Sequence, residues 1–236
     1  MNQCNQFGQP VGEALIDWQP RQHPARVELK GEYCSLTPLR TEHAAALFAA
    51  YALAPDTRSW TWLLREPDAS VEDFTNWVAS VCELSDPIHF TVIDNQTNAP
   101  VGTLALMRID AKNGVVEVGH VHFSPLLSRT PMSTEAQYLL MRYVFDTLGY
   151  RRYEWKCNSL NAPSRRAALR LGFQYEGQFR QALVIKGHNR DTDWFSLIDN
   201  EWEAVSRAFQ NWLAADNFTA DGEQKRSLEN WRESLR

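Results

Sequence analysis

Two short runs in this chain of 236 residues gather side chains able to move a proton and to hold a charged ligand. The first is Val115-Val-Glu-Val-Gly-His-Val-His-Phe123, where β-branched residues alternate with polar ones at the period of a half-buried strand. Glu117 could accept a proton from an incoming nucleophile, and an imidazole, with an ordinary pKa of about 6.5, could do the same near neutrality. Side chains two apart share a strand face, so His120 and His122 lie opposite Glu117 unless a bulge intervenes. The competing reading is plain: a strand carboxylate usually faces solvent, and a lone strand histidine is more often structural.

The second run is Ser128 to Thr134. Thr130 suits a helix N-cap and Pro131 the first helical position, where a missing N–H matters least. Uncapped amides at such an end, aided by the helix dipole, attract phosphate oxygens. Ser133 and Thr134 add hydroxyls and Arg129 a fixed charge, so this turn could hold a pyrophosphate. Pro131 removes one amide donor from it. The helix beyond carries Ala136, Leu139, Leu140, Tyr143, Val144 and Leu148 on one face, and Gly149 closes it. A strand ending at Cys157 then leads to Asn161-Ala-Pro-Ser164, which opens a helix stopping at Gly172-Phe173. Asn161 can cap that helix, and Ser164 is otherwise an ordinary first-turn hydroxyl. Two strand-to-helix transitions this close together suggest a cofactor cleft.

The surrounding pattern supplies elements to position these groups. Val27 to Leu39 reads as a first strand, and Thr41-Glu-His-Ala-Ala-Ala-Leu-Phe as an N-capped helix of strong formers. Ser70 can cap a helix with Phe74, Trp77, Val78 and Val81 on its apolar face. Strands at Ile88 to Ile93 and Val101 to Ile109 flank the turn-rich Asp94-Asn-Gln-Thr-Asn98, and a turn at Asp110 to Gly114 joins them to the Glu117 strand as an antiparallel meander. Final strands span about Phe173 to Ile185 and Asp193 to Ile198. Beyond Asp199, Trp202, Val205, Phe209 and Trp212 recur at helical spacing, and a second short helix falls within Gln224 to Leu235.

Segments Leu36-Thr-Pro-Leu-Arg-Thr-Glu-His43, Glu117-Val-Gly-His120, Thr134-Glu-Ala136, Asn161-Ala-Pro-Ser164, Leu171-Gly-Phe173 and Asp191-Thr-Asp-Trp-Phe-Ser-Leu197, in that order, resemble the GNAT acetyl-CoA-dependent N-acetyltransferases. Within that superfamily they are most similar to the branch that acetylates the N-termini of ribosomal proteins. The resemblance covers roughly residues 30 to 200 and implies an α+β fold: a mixed, mostly antiparallel sheet with a splayed central strand pair, flanked by helices on both faces. It places the acetyltransferase domain over 29–199; the polar residues 1–28, with Pro10, Pro20 and Pro24, read as an arm draped on that domain or disordered, and 200–236 as a helical extension, both beyond the family's usual minimal domain. By the same resemblance Glu117 takes the amine's proton directly or through water and Ser164 is the acid for the departing thiolate, while His120 stands in reserve on the strength of its imidazole alone. A hydrogen bond to the thiolate is the safer description of Ser164. The resemblance further places coenzyme contacts at Phe123, Ser128, Arg129, Thr130, Met132, Ser133, Thr134, Asn161 and Arg165. Two positions depart from the family. Its pyrophosphate turn reads Gln or Arg, two residues, Gly, one residue, then Gly or Ala, where this chain has Ser128, Pro131 and Ser133. Its tyrosine four residues before the Gly of Gly172-Phe173 is here Ala168.

Composition narrows the rest. A chain of this length with 44% hydrophobic residues can bury a full core. Its net charge of -5 argues against nucleic acid, which is bound through clustered Lys and Arg. Cys4, Cys34, Cys82 and Cys157 show neither metal-ligand spacing nor a disulfide framework. With no apolar run of membrane-spanning or signal-peptide length, a cytoplasmic protein without a membrane partner is expected. The resemblance implies, as the expected activity, acetyl transfer from acetyl-CoA to a primary amine, small molecule or peptide N-terminus, without a metal. The alternative is an acyl-CoA-binding sensor or inactive interaction module. The arm and tail are candidates for a homodimer contact or for substrate restriction.

Overall fold

In the computed structural model, residues 3–235 are described. Eight strands form one sheet in the spatial order β3-β4-β5-β6-β7-β8-β10-β9. They are β3 (Leu29–Lys30), β4 (Cys34–Pro38), β5 (Ile88–Asp94), β6 (Pro100–Asp110), β7 (Val115–Phe123), β8 (Arg152–Asn158), β9 (Gln174–Ile185) and β10 (His188–Ile198). A separate two-stranded hairpin, β1 (Gln3–Cys4) with β2 (Pro10–Val11), lies in the N-terminal arm. Neighbours in the large sheet are antiparallel except β7 and β8, which run parallel.

That parallel pair positions the site. It is joined only from Val115 opposite Arg152 to Val118 opposite Trp155, after which β7 runs on to Phe123 and β8 to Asn158 without pairing to each other. The sheet therefore splits into a V at its centre. One arm of the V leads into α3 (Pro131–Arg142), and the other into α4 (Ala162–Leu171), so both helices begin at the mouth of the gap. Asn161 caps α4 by accepting from the Ser164 N–H at 3.1 Å. Gly172 ends it with a φ of 107°, a left-handed conformation that a side chain would resist.

Helices cover both faces. On one side α1 (Ala44–Ala52) and α2 (Val71–Val81) bury a small core of Leu39, Ala44, Leu47, Tyr51, Phe74 and Val78. Ser70 caps α2 as its sequence suggests, accepting from the Asp73 N–H. On the other side α3 and α5 (Asp199–Leu213) enclose the main core, with Leu104, Val116, Val118, Leu140, Tyr153 and Phe195 inside it. Every residue of α3 from Thr134 to Met141 is buried, because α5 closes over its outer side: Tyr138 stacks on Phe209 at 5.3 Å and on Trp202 at 6.0 Å. A short α6 (Leu228–Glu233) follows inside the stretch where a second helix is expected.

Three local expectations are corrected. Val27 to Leu39 is not one strand but a tight hairpin. Its turn is organised by Glu135, whose carboxylate accepts from the N–H groups of Glu32, Tyr33 and Cys34, each at 2.7 Å. The last strand begins at His188 rather than Asp193, because Lys186 and Gly187, with φ of 51° and 77°, make a two-residue turn that lets the hairpin run long. Thr41 opens a single tight turn, Thr41–His43, ahead of α1 and does not itself cap that helix.

Candidate active site

The V between β7 and β8 opens into a cleft of about 870 Å³. Its walls include Glu117, His120 and Phe123 from β7, Trp155 and Cys157 from β8, Ser128, Arg129, Ser133, Thr134 and Gln137 from the α3 end, and Asn161, Ser164 and Arg170 from the α4 end. The loop holding Trp62 to Leu64 and the β9–β10 hairpin, through Leu183 and Arg190, arch over it. At the tip of that hairpin, Lys186 donates to the Trp60 carbonyl at 2.9 Å and pairs with Glu66 at 3.1 Å, fastening the two parts of the roof together.

Glu117 is 4% exposed. Its Oε2 accepts from Arg108 at 2.7 Å and Lys156 at 2.8 Å, while no described residue donates to Oε1. These contacts belong to a line of alternating charge that crosses the sheet. Glu176 on β9 meets Arg152, Arg152 meets Glu154 at 2.6 Å, Glu154 meets Lys156 at 2.8 Å, and Lys156 meets Glu117. The ammonium of Lys156 also rests 3.7 Å from the centre of the Trp194 ring, a cation–π contact.

The bulge that the sequence left open is present. Gly119 pairs with Ala105 and His122 with Thr103, so three steps on β7 match two on β6, and His120 absorbs the difference with a φ of 49°. The histidines consequently share the face of Glu117. The His120 ring lies 5.0 Å from that of His89 and close enough to feel the charges of Glu117 and Arg108. Burial, opposed by Glu117, lowers the His120 pKa, which favours a neutral ring at pH 7. His122 instead stacks on Tyr51 at 3.9 Å and is held in the small core, where burial pushes it down to about 4.

At the opposite wall, Ser164 Oγ accepts from the Trp155 indole N–H at 2.9 Å. That contact uses a lone pair and leaves the serine O–H available to donate. Cys157 is beside it, its thiol raised by burial against the lowering effect of Ser164, Arg165 and Arg190. No tyrosine lines the cleft among the described residues, and Ala168 is buried in the core.

The turn before α3 is organised differently from expectation. Thr130 occupies the N-cap position, yet its hydroxyl donates to the Leu127 carbonyl at 2.7 Å instead of capping. Ser133 Oγ donates to the Thr130 carbonyl at 2.7 Å and Ser128 Oγ to the Phe123 carbonyl at 3.3 Å. With these three hydroxyl hydrogens engaged, the turn's own free donors are the Thr134 hydroxyl, which lines the cleft, and main-chain groups: no described acceptor takes the N–H of Arg129, which has a φ of 64°, or of Met132. Thr130 and Met132 do not line the cleft, and the Met132 side chain packs against the main core. Arg165 points elsewhere, forming an ion pair with Asp193 and lying over the Tyr175 ring. The arginine that does reach this corner is Arg170, one helical turn and a half further on. Its Nη1 donates to Thr134 Oγ1 at 3.0 Å while the guanidinium lies 5.0 Å from the centre of the Trp212 ring of α5. Sequence spacing alone could not choose between them, since the choice depends on where α5 packs.

A diphosphate fits these residues: free amides at a helix start, Arg129 at the rim and Arg170 braced beside them are the donors that such a group needs. No group of three or more His, Cys, Asp and Glu among the described residues could hold a metal ion, and no described helix is long and apolar enough to cross a membrane.

Comparison with known proteins agrees with this arrangement. The sequence model of the acetyltransferase (GNAT) domain matches residues 35–174. A solved GCN5-related N-acetyltransferase from Brucella melitensis is 48% identical and superposes with a TM-score of 0.91 over 93% of this chain and 100% of its own. The N-acetyltransferase YokL of Bacillus subtilis, of SPbeta prophage origin, is 28% identical over 134 residues, 57% of this chain and 74% of the relative. YdaF of Bacillus subtilis, named as a ribosomal N-acetyltransferase, is 29% identical over 102 residues, 43% of this chain and 55% of the relative.

Proposed function

We infer the reaction from the premise that this chain belongs to the GNAT acetyltransferase family and is an N-acetyltransferase: an acetyl group passes from acetyl-CoA to a primary amine by direct attack when both are bound. The observation that carries this reading is the V between β7 and β8, which opens beside free amides at the start of α3 and has Glu117 and Ser164 on its walls.

When bound, the coenzyme supplies the activated acyl carbon and a sulfur leaving group. The N–H of Arg129, with the side chains of Arg129 and Arg170, would hold the diphosphate, and Asn161, which lines the cleft, would meet the pantetheine arm. The neutral amine forms the new C–N bond as the C–S bond breaks. Glu117 receives the amine's proton at Oε1, directly or through water, while Arg108 and Lys156 fix its other oxygen. Neutral His120 alongside is the second group able to accept it. Ser164, with one lone pair taken by Trp155, donates a hydrogen bond to the departing thiolate and keeps its proton. A peptide N-terminus is one acceptor compatible with this chemistry.

The test is Glu117→Gln, which keeps size and removes the base. The expected result is a fall in kcat of roughly 10²- to 10⁴-fold at neutral pH, with calorimetric acetyl-CoA affinity unchanged. Rates unaltered across the pH range would remove Glu117 from the reaction. Acetyl-CoA binding without thiol release on a broad amine panel would favour a sensor instead, the reading that Ala168 and Pro131 keep open.

A further inference from the structure

Six cations line the cleft, against one carboxylate among the described residues, Glu117. Five of the six are accounted for. Arg108 and Lys156 are paired to Glu117, and Arg58 is paired to Asp56. Arg129 and Arg170 stand at the α3 end. Arg190 is left. It is half-buried at the start of β10, donates from Nε to Thr192 Oγ1 at 3.2 Å, and has no described carboxylate within ion-pairing distance. It lies near enough to Glu117, Arg108 and Cys157 to interact with each electrostatically, so it belongs to the chemical end of the cleft rather than to the phosphate end.

An unpaired guanidinium held partly out of water is costly unless an anion completes it, and its planar fork matches a carboxylate. Glu176, Arg152, Glu154, Lys156, Glu117 and Arg108 neutralise one another in sequence. The positive charge of Arg190 is therefore not cancelled by its surroundings. Arg108, whose side chain is half exposed and uses only Nη1 on Glu117, has donors to spare on the same side.

We propose that the acceptor amine carries a carboxylate a few bonds from its nitrogen, and that Arg190, helped by Arg108, binds that carboxylate while Glu117 receives the amine's proton. This rests on the N-acetyltransferase reading and deepens it by naming the substrate class. Polyamines and other polycationic amines are disfavoured by the same charge. The carboxylate has two sources, the α-carboxylate of a free amino acid or an acidic side chain next to a peptide N-terminus, and the two call for separate arms of one experiment.

Thiol release is measured with amino acids against their primary amides, with tripeptide amides bearing Asp or Asn in second place, and with spermidine. The expected outcome is a kcat/KM about 10- to 100-fold higher for the acid member of one set, carried mainly by KM. Arg190→Gln should erase that ratio, and Arg190→Lys should restore part of it. Equal rates for acid and amide in both sets, or spermidine as the best acceptor, would overturn the proposal. Binding separates this failure from failure of the enzymatic reading. Calorimetry on the coenzyme A-loaded protein needs no turnover, and it pairs N-acetylated amino acids with their amides and N-acetylated tripeptide amides bearing Asp with those bearing Asn in second place. A preference for the acid in either set, lost in Arg190→Gln, upholds the anion site even if no amine releases thiol, and absence of the preference in both sets refutes it.

Discussion

His89 is the residue with the clearest consequence for stability. It is 4% exposed on β5, and burial together with the neighbouring His120 pushes its pKa down to about 4. The unfolded chain has the ordinary value of about 6.5, so between these limits the unfolded state binds more protons. Stability is therefore whole above pH 6.5 and falls as the pH drops toward 4, by about 3 kcal/mol from this group. His122, also near 4, works in the same direction. The melting temperature should drop steeply across that window, and His89→Phe should flatten the slope without abolishing it. A His89→Phe profile parallel to the wild type would show that His89 is not the source.

At the scale of elements, α3 is held to the β3–β4 hairpin through Glu135. A Cβ on Gly31 would come within 2.4 to 2.7 Å of all three atoms of that carboxyl group. Gly31→Ala must push the carboxylate off the three N–H groups, and Glu135→Gln replaces an oxygen by a second donor facing them. Each should cost about 2–4 kcal/mol, read as a lower denaturant midpoint at unchanged slope. Glu135 also marks the limit of what the sequence discloses. Alternation on β7, the Ser70 and Asn161 caps and the Gly172 stop are local signals, so those elements and the order of the fold were legible. The turn at Gly31 to Tyr33 depends on a carboxylate a hundred residues away, and the bulge at His120 on the register of β6. Neither leaves a local pattern. The same holds within the cleft. Glu117, Ser164 and Asn161 line it, but that Arg170 lines it and Arg165 does not is decided by Trp212 and Asp193, which only tertiary packing brings into reach.

Over the whole molecule, the arm and the tail brace the domain at different places. The arm is laid along the domain by the Trp18 indole N–H on the Lys112 carbonyl at 3.0 Å and by Tyr150 on the Gln22 carbonyl at 3.1 Å. The tail has a more direct part. Through Trp212, α5 supports the guanidinium that meets Thr134, and Arg232 of α6 donates to the Leu169 carbonyl at 2.9 Å, fastening the end of α4. Trp212→Ala should free Arg170 and raise the KM for acetyl-CoA roughly 3- to 10-fold, the scale of a lost cation–π contact, with a smaller change in kcat. A fall in kcat alone would assign α5 a different part.

The line of ion pairs from Glu176 to Glu117 has a consequence for how this enzyme could be adjusted. Each inner member separates two charges of one sign, so losing Lys156 would set Glu117 against Glu154, and losing Arg152 would set Glu154 against Glu176. The hold on the Glu117 carboxylate is thus tied to the solvent-facing rim of the sheet. A change three strands away, at Glu176, would be relayed pair by pair to a carboxylate in the cleft wall while every residue lining the cleft stays as it is.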